Sequence, residues 1–341
     1  MGEPTLRAAT ADDDAGLRAL FEACFPDSPK ARADIMRWQY WDNPFAAPVS
    51  WVYEDAGAIV AHYAGMPVPI TVDGAPAVGA VGIDAATAPS HRGMGLFESL
   101  ARAVYRDGGE RGMPVTLCYP NANSLRGFVK AGGHPVGELR TFVLPVDDAW
   151  VARRFHVPRV VASALRRVAF GRSRSTGAVR VDAAPDGLDD LWAAVAPASP
   201  NGIRRDAAWW RWRYDGHPDA PYARYAVRDA GGRLRGAAAA VVHDDFGGSF
   251  VYLLELLTLD RDAARALVAA VVDDHPGVSG LATVGLDGSP VAVAARRGGL
   301  RPLPRRLAPK PLNFGIADNT GARADLASAP WSVAWGDLDH L

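Results

Sequence analysis

Apolar residues in the first 146 positions recur in two periods, one near two residues and one near 3.6, and their succession predicts alternating strands and helices. Thr10 precedes Ala-Asp-Asp-Asp-Ala-Gly-Leu-Arg-Ala-Leu-Phe, a hydroxyl cap with acids in the first turn, which is a helix start. Residues 50–54 (SWVYE) and 58–72 (AIVAHYAGMPVPITV) read as strands, with Asp55-Ala56-Gly57 as the hairpin turn. Val78–Asp84 is a further strand. Leu96, Leu100, Ala103 and Val104 fall at helical spacing, which predicts a helix over 94–106. Pro114–Tyr119 is a short apolar strand, and Ser124–Ala131 a second helix stopped by Gly132-Gly133. This order predicts an α/β layered fold.

Residues 147–180 break the pattern. They hold eight arginines and little strand character, and read as a basic helical connector. A basic amphipathic segment is also of the type that touches acidic partners or a membrane surface. Beyond it the earlier pattern begins again. Arg37-Trp38-Gln39-Tyr40-Trp41-Asp42-Asn43-Pro44 and Arg211-Trp212-Arg213-Tyr214-Asp215-Gly216-His217-Pro218 share Arg-Trp-x-Tyr-x-x-x-Pro. Each precedes a strand–turn–strand, WVYEDAGAIVAHYAG in the first copy and RYAVRDAGGRLRGAAAA in the second. Ile83-Asp84-Ala85-Ala86-Thr87 parallels Leu254-Glu255-Leu256-Leu257-Thr258, and Lys130-Ala131-Gly132-Gly133 parallels Arg296-Arg297-Gly298-Gly299. Matches in one order predict a duplicated domain of about 140–150 residues.

Composition narrows the class. At 341 residues the chain has the length of two domains of about 150 residues. Hydrophobic residues make up 49% and charged residues 22%, which supplies a core and argues against disorder. A formal net charge of -1 speaks against a whole-chain grip on nucleic acid. No run of about 18 uncharged apolar residues predicts a membrane span. The start, MGEPTLRAATADDD, lacks an apolar signal core, so the expected compartment is the cytoplasm. Cys24 and Cys118 are too few for a disulfide framework or a zinc site, and neither has the sequence context of a nucleophile. His243-Asp244-Asp245 has metal-ligand residue types but reads as a hairpin turn before Phe-Gly-Gly, without a third ligand group, so no metal is expected. The lysines are Lys30, Lys130 and Lys310; the other basic residues are arginine.

The chemistry concentrates in Val81-Gly82-Ile83-Asp84-Ala85-Ala86-Thr87-Ala88-Pro89-Ser90-His91-Arg92-Gly93-Met94-Gly95-Leu96-Phe97, which runs from a strand through a short loop into a helix. Glycines at a helix start let a ligand approach the backbone. The first amides and the positive end of the helix dipole then face outward, which suits a pyrophosphate. Arg92 adds a fixed charge. The segment is neither a Walker loop nor the dinucleotide G-x-G-x-x-G.

This arrangement resembles the GNAT superfamily of acyl-CoA-dependent N-acyltransferases, whose signature is Arg/Gln-x-x-Gly-x-Gly/Ala between the fourth strand and the next helix. Arg92-Gly93-Met94-Gly95-Leu96 fits, while Phe97 replaces the last small residue. Tyr119-Pro120-Asn121-Ala122-Asn123-Ser124-Leu125-Arg126-Gly127-Phe128-Val129-Lys130-Ala131-Gly132 is similar to the family's fifth strand and fourth helix. The resemblance covers residues 1–146 and, more faintly, about 180–315. It implies tandem domains, each a mixed, mostly antiparallel twisted sheet flanked by helices: 1–146 as acyl-CoA-binding catalytic domain, 147–180 as connector, 181–341 as a degenerate copy with a C-terminal tail. It implies that the backbone of Ala85, Ala86 and Thr87 pairs with the pantetheine arm. Amides of Gly93, Met94, Gly95, Leu96 and Phe97, with Arg92, hold the pyrophosphate, and Asn121, Asn123 and Phe128 lie near the pantetheine and thioester. The cosubstrate implied is acetyl-CoA or another acyl-CoA. The second copy lacks the loop: Leu259-Asp260-Arg261-Asp262 has no glycine, and its acids repel a pyrophosphate. One cofactor site per chain is expected, and the second copy either shapes the acceptor pocket or covers and stabilises the first.

Acyl transfer to an amine needs a base for the amine, a donor for the thioester oxygen, and a fate for the thiolate. The family's usual acid, a Tyr on the fourth helix, falls at Phe128. Tyr119 is the substitute, or CoA leaves as a thiolate, which a thiol pKa of about 8.5 allows. Asp84, ending its strand beside the expected thioester, is the first candidate base; as a bland alternative it holds the loop. Glu255 matches it in the second copy, in an apolar run that raises a carboxyl pKa; otherwise it pairs with an Arg of the core. His62 is a third candidate, on a strand that can face the acceptor groove or be structural. The Arg-Trp-x-Tyr stretches are of a kind that stacks nucleobases, but their repetition favours an aromatic anchor beneath each sheet. The expected function is N-acylation, most simply acetylation, of a small amine such as an amino sugar, an amino acid or a biosynthetic intermediate. The competing classes are a non-catalytic acyl-CoA-binding module and a thioester decarboxylase or hydrolase.

Overall fold

The computed structural model describes residues 3–170, 177–219, 222–308 and 312–338. Strand β1 (Thr5–Ala8) leads through a short 3-10 turn into α1 (Asp14–Cys24), which buries Leu17, Leu20 and Phe21. Helix α2 (Ala33–Met36) continues into a π-helical turn, Arg37–Trp41. A hairpin of β2 (Val49–Asp55) and β3 (Ala58–Val72) follows, then β4 (Ala75–Thr87), α3 (Leu96–Glu110), β5 (Val115–Cys118), α4 (Leu125–Lys130) and β6 (Gly133–Pro145). The strands and helices expected from periodicity are present, and β6 is an addition to them.

Helices α5 (Asp148–Phe155) and α6 (Arg159–Phe170) occupy the start of the basic stretch. Strand β7 (Ala178–Val181) begins inside it, and residues 171–176, with Arg172 and Arg174, lie outside the described residues. Then come α7 (Leu188–Val195), β8 (Asn201–Ile203), α8 (Ala207–Trp210) with its own π-helical turn Arg211–Asp215, β9 (Ala223–Arg228), β10 (Leu234–Asp245) and β11 (Gly248–Thr258). His243-Asp244-Asp245 therefore ends β10, and the turn itself is Phe246-Gly247, both at positive φ. The chain continues through α9 (Arg261–Asp274), β12 (Gly280–Gly285), α10 (Pro290–Gly298), β13 (Arg301–Pro302), β14 (Leu312–Asp318) and β15 (Trp331–Ser332).

The main strand order is β1-β2-β3-β4-β5-β14-β6-β12-β11-β10-β9-β7. Most neighbours are antiparallel; β4–β5 and β11–β12 are parallel. The order mirrors about its centre, with β1 to β5 on one side answered by β7, β9, β10, β11 and β12 on the other. At the centre the final strands of the two halves are exchanged. Strand β14, from the second half, pairs with β5; β6, from the first, pairs along residues 133–139 with β14 and along 140–145 with β12. The two sheets expected for tandem domains are thus one continuous ladder. The exchange pairs edges that would otherwise expose unmet N–H and C=O groups.

The halves also meet through their duplicated aromatic motif. Trp38 and Trp212 stack with ring centroids 4.5 Å apart and planes 12° apart, and Trp38 Nε1 donates to the Trp212 carbonyl at 3.1 Å. Equivalent residues face to face put the approximate two-fold axis between them. The motif anchors the sheets, as its repetition suggested, and also joins them.

Candidate functional site

Parallel β4 and β5 pair only at Ala80–Thr116 and Val81–Leu117. Strand β5 then stops at Cys118 while β4 runs on to Thr87, so residues 82–87 pair on one side with β3 and have no strand on the other among the described residues. Ala85 is exposed on this stretch. Past Thr87 a 3-10 turn, Pro89–His91, is pinned by His91 Nε2 to Asp55 Oδ2 at 3.1 Å. Gly93 (φ 82°) and Gly95 (φ 76°) then take left-handed conformations, with open space where a Cβ would stand. Residues 92–95 are all exposed. Helix α3 starts at Leu96 with Gly95 as its cap residue and no side chain closing its first amides. The loop is therefore neither buried nor blocked. Arg92 is tethered through Nε to the Thr87 carbonyl at 3.3 Å.

Helix α9, the counterpart of α3, is closed. The Asp260 carboxylate accepts from the amides of Asp262 and Ala263 at 3.0 and 2.9 Å, so the chain's own carboxylate already holds the anion position. Phe97, the departure from the family signature, leans on Tyr63 with centroids 5.3 Å apart and covers Gly127, where a Cβ would come within 2.7 Å of its ring. The bulk added at Phe97 is matched by the side chain missing at Gly127.

Strand β4 bulges at Asp84, whose φ is 51°. The Asp84 carbonyl accepts from His62 Nδ1 at 2.9 Å, and His62 Nε2 meets Ser50 Oγ at 2.9 Å. The Asp84 carboxylate is buried and holds Lys30 Nζ at 2.5 Å, Tyr40 OH at 2.6 Å and Gln39 Nε2 at 3.1 Å. Burial works to raise its pKa, but the Lys30 charge and these hydrogen bonds outweigh burial and keep the group below its ordinary value. His62 is fully buried between Phe21 and Tyr40, and burial lowers its pKa. It braces the bulge and does not face a groove, contrary to the reading of His62 as an acceptor-side base.

In front of Lys30 lies a cavity of about 270 Å³ between the two halves. Its walls include Lys30, Trp38 and Gln39 from the first half, and Trp209, Arg213 and His217 from the second. Gly336–Leu338 close one side.

Glu255 occupies the place in the second half that Asp84 holds in the first. It is buried, with Arg205 Nε at 2.9 Å, Tyr214 OH at 3.0 Å and Trp209 Nε1 at 3.3 Å. Arg205 also binds Asp337 at 2.7 Å. Burial raises the Glu255 carboxyl to about 7, against the pull of Arg205. Its surroundings are those of a core ion pair. A carboxylate, a cation and the Tyr of Arg-Trp-x-Tyr recur in both halves: Asp84, Lys30, Tyr40 and Glu255, Arg205, Tyr214.

The remaining predicted residues scatter. Tyr119 follows directly after β5 with its hydroxyl buried and facing the Arg205–Asp337 charges; burial raises its pKa well above the ordinary value. Asn121 is spent on a turn, its Oδ1 accepting from the amides of Asn123 and Ser124 at 2.9 and 3.1 Å, and Asn123 is exposed. Phe128 is 1% exposed and fills the space above Gly133 and Gly315, so it is a core residue and not a wall of an open site. Sequence reasoning missed Lys30, Gln39 and Tyr40 as partners of Asp84, and Arg205 as the partner of Glu255. The repeated Arg-Trp-x-Tyr, set beside the Asp84/Glu255 correspondence, was the available signal. Among the described residues no cluster of His, Cys, Asp and Glu is arranged to hold a metal ion, and no helix is long and apolar enough to cross a membrane.

Residues 5–128 match the family model described as acetyltransferase (GNAT) domain. No curated protein matches the chain. Among solved structures, a GCN5-related N-acetyltransferase from Anabaena variabilis ATCC 29413 is similar at 13% identity, over 94% of this chain and 74% of that one, with a TM-score of 0.68. One from Kribbella flavida is similar at 14% identity over 94% and 73%, with a TM-score of 0.61. The N-myristoyltransferase of Saccharomyces cerevisiae, solved with bound myristoyl-CoA, is similar at 11% identity over 93% and 83%, with a TM-score of 0.57. The unpaired end of β4 and the uncapped α3 lie inside the segment that matches the acetyltransferase (GNAT) domain model, and the fold over most of the chain is similar to that of solved GCN5-related N-acetyltransferases.

Proposed function

We propose that this chain transfers an acyl group, most simply acetyl, from acyl-CoA to the amine of a small molecule in a ternary complex. The observation that carries the reading is the uncapped, exposed start of α3 at the end of an unpaired strand edge. The backbone of Ala85, Ala86 and Thr87 would pair with the pantetheine amides as an added strand would. The amides from Gly93 to Phe97, with Arg92, would hold the pyrophosphate. The thioester then comes to the Asp84 bulge, and the cavity before Lys30 receives the acceptor. In the reaction the amine nitrogen forms a bond to the thioester carbon, the C–S bond breaks with its electron pair going to sulfur, and the amine proton passes to the thiolate or to water. A thiol pKa of about 8.5 lets sulfur leave without a dedicated acid. We assign Asp84 a positioning role, because to act as base it would have to abandon Lys30, Gln39 and Tyr40. Two free thiols and a CoA-linked substrate suit a cytoplasmic setting.

The test is thiol release from acetyl-CoA in the presence of a panel of small amines, repeated with longer acyl chains. Release that depends on the amine supports the reading. Absence of release with every amine and chain length overturns it.

A further inference from the structure

Nothing in acyl transfer uses the basic stretch after β6. From residue 149 to residue 181 the chain holds eight arginines and no acidic residue, which leaves 29 basic residues elsewhere against all 38 acids. Positive charge is therefore concentrated in one short segment of a chain whose remainder is acidic. The first part of that segment is a helical hairpin, α5 and α6, with His156 in a left-handed conformation (φ 54°) at the reversal. Its root is fixed. The Asp147 carboxylate caps α5 by accepting from the amides of Ala149 and Trp150 at 2.7 and 3.0 Å. Trp150 Nε1 donates to the Phe246 carbonyl at 3.1 Å, and its ring stands edge-on to Phe250 with centroids 5.1 Å apart.

The tip of the hairpin is exposed and mixed in character. Arg153, Arg154 and Phe155 at the end of α5, and Arg159, Val160 and Val161 at the start of α6, all face solvent. Val160 is 82% exposed, more than any other large hydrophobic side chain among the described residues. Ala162, one residue on, is buried, so α6 has a packed face and its exposed valines lie off it. The Arg154 guanidinium carbon sits 6.0 Å from the Phe155 ring centre. Among the described residues no acidic side chain forms an ion pair with Arg153, Arg154 or Arg159.

A single exposed valine is ordinary, and so is a solvated arginine. Apolar side chains and unpaired arginines together on one fixed turn fit a surface that offers negative charge with an apolar layer beneath it. An anionic bilayer has that make-up: headgroup phosphates take guanidinium groups, while valine and phenylalanine reach the headgroup–acyl boundary. Nucleic acid supplies phosphates but no apolar layer for Val160. A second copy of the hairpin brings like charges together. We infer that the α5–α6 hairpin docks this protein on a membrane surface rich in anionic lipid. Phe155, Val160 and Val161 enter the boundary, and Arg153, Arg154 and Arg159 hold lipid phosphates. The acidic remainder of the chain is repelled by the same surface, so the hairpin leads and the rest of the molecule turns outward.

The experiment sediments the full chain with sucrose-loaded vesicles of phosphatidylcholine alone, or of phosphatidylcholine with about one third phosphatidylglycerol. Expected is binding to the anionic vesicles about tenfold or more above that to phosphatidylcholine, weakened about tenfold as salt rises from about 0.1 to 0.5 M. Two double variants separate the forces: Arg153→Gln with Arg154→Gln, and Phe155→Ser with Val160→Ser. Each is expected to weaken binding to anionic vesicles about fivefold or more while the thermal transition stays in place, since all four side chains are exposed. Equal sedimentation with the two vesicle types, or none with either, overturns the inference whether or not the variants fold. Loss of binding in the arginine pair with no change in the apolar pair overturns it as well, because attraction to any anion then accounts for the contact. Tighter binding of a duplex DNA probe than of anionic vesicles gives the hairpin to nucleic acid and overturns it too. CoA takes no part in this assay, so its outcome and that of the thiol-release test are independent.

Discussion

Asp84 gathers its partners from a segment more than forty positions earlier: Lys30, Gln39 and Tyr40 all reach one carboxylate in the β4 bulge. Removing the charge takes one partner from the half-buried Lys30, a loss of about 2 kcal/mol, below that of a fully buried pair broken from one side. Asp84→Asn is therefore expected to lower the unfolding free energy by about that amount in denaturant titration, and to raise KM for both substrates because bulge and cavity wall loosen together. Arg92 stands at the exposed loop, so Arg92→Glu is expected to raise the Kd for CoA roughly tenfold or more, read by calorimetry, with little change in stability. Glu255 makes a pH signature. Its folded pKa of about 7 lies above the ordinary 4.5, so the folded state holds the proton more tightly. That stabilisation is complete below about 4.5 and disappears as pH rises through about 7. Thermal unfolding is expected to drop by a few degrees across this window, and Glu255→Gln is expected to flatten the curve. At this scale the sequence revealed residue types and not partners. Asp84 stood out as a strand-end carboxylate and Glu255 as an acid in an apolar run. Lys30 and Arg205 became their counter-ions only through chain reversals that no local pattern encodes.

Two equivalent helices differ at their first turn. Helix α3 opens on Gly95 with its amides uncapped, while α9 carries Asp260 across the same position. Gly95→Ala adds a methyl that meets nothing within 4 Å, so its cost comes from forcing a side chain into φ 76°. The expected result is a loss of about 1 kcal/mol in stability and a weaker grip on CoA, measured by denaturant titration and calorimetry on one preparation. The contrast was legible in the sequence, since glycines and acids act at a helix start through the backbone within one turn. Phe128 was not. Its ring is enclosed by Gly133 and Gly315, and Gly315 arrives from the other half of the chain, so a family position became core through a contact nearly two hundred residues away. His62 misled for a similar reason. The alternation of its strand gave a face but not what covers that face, which is Phe21 of α1.

For the molecule as a whole, the duplicated motif announced two similar halves, and the mirrored strand order follows from it. What periodicity leaves unstated is which sheet claims a final strand. Strand β14 lies between β5 and β6, so residues 1–146 alone lack a neighbour on each side of that gap. A chain ended after residue 146 is expected to give no cooperative thermal transition by circular dichroism and to aggregate, whereas an independent unit would melt in one step. The exchange also sets an order in time. A ribosome delivers the α3 loop long before it delivers residues 312–318, so the half that carries the loop emerges first and must wait with a gap in its sheet. Completion of the half made first is thereby tied to a strand made later, and a nascent chain that stalls between the loop and β14 exposes an open strand edge to whatever helper or protease reaches it first.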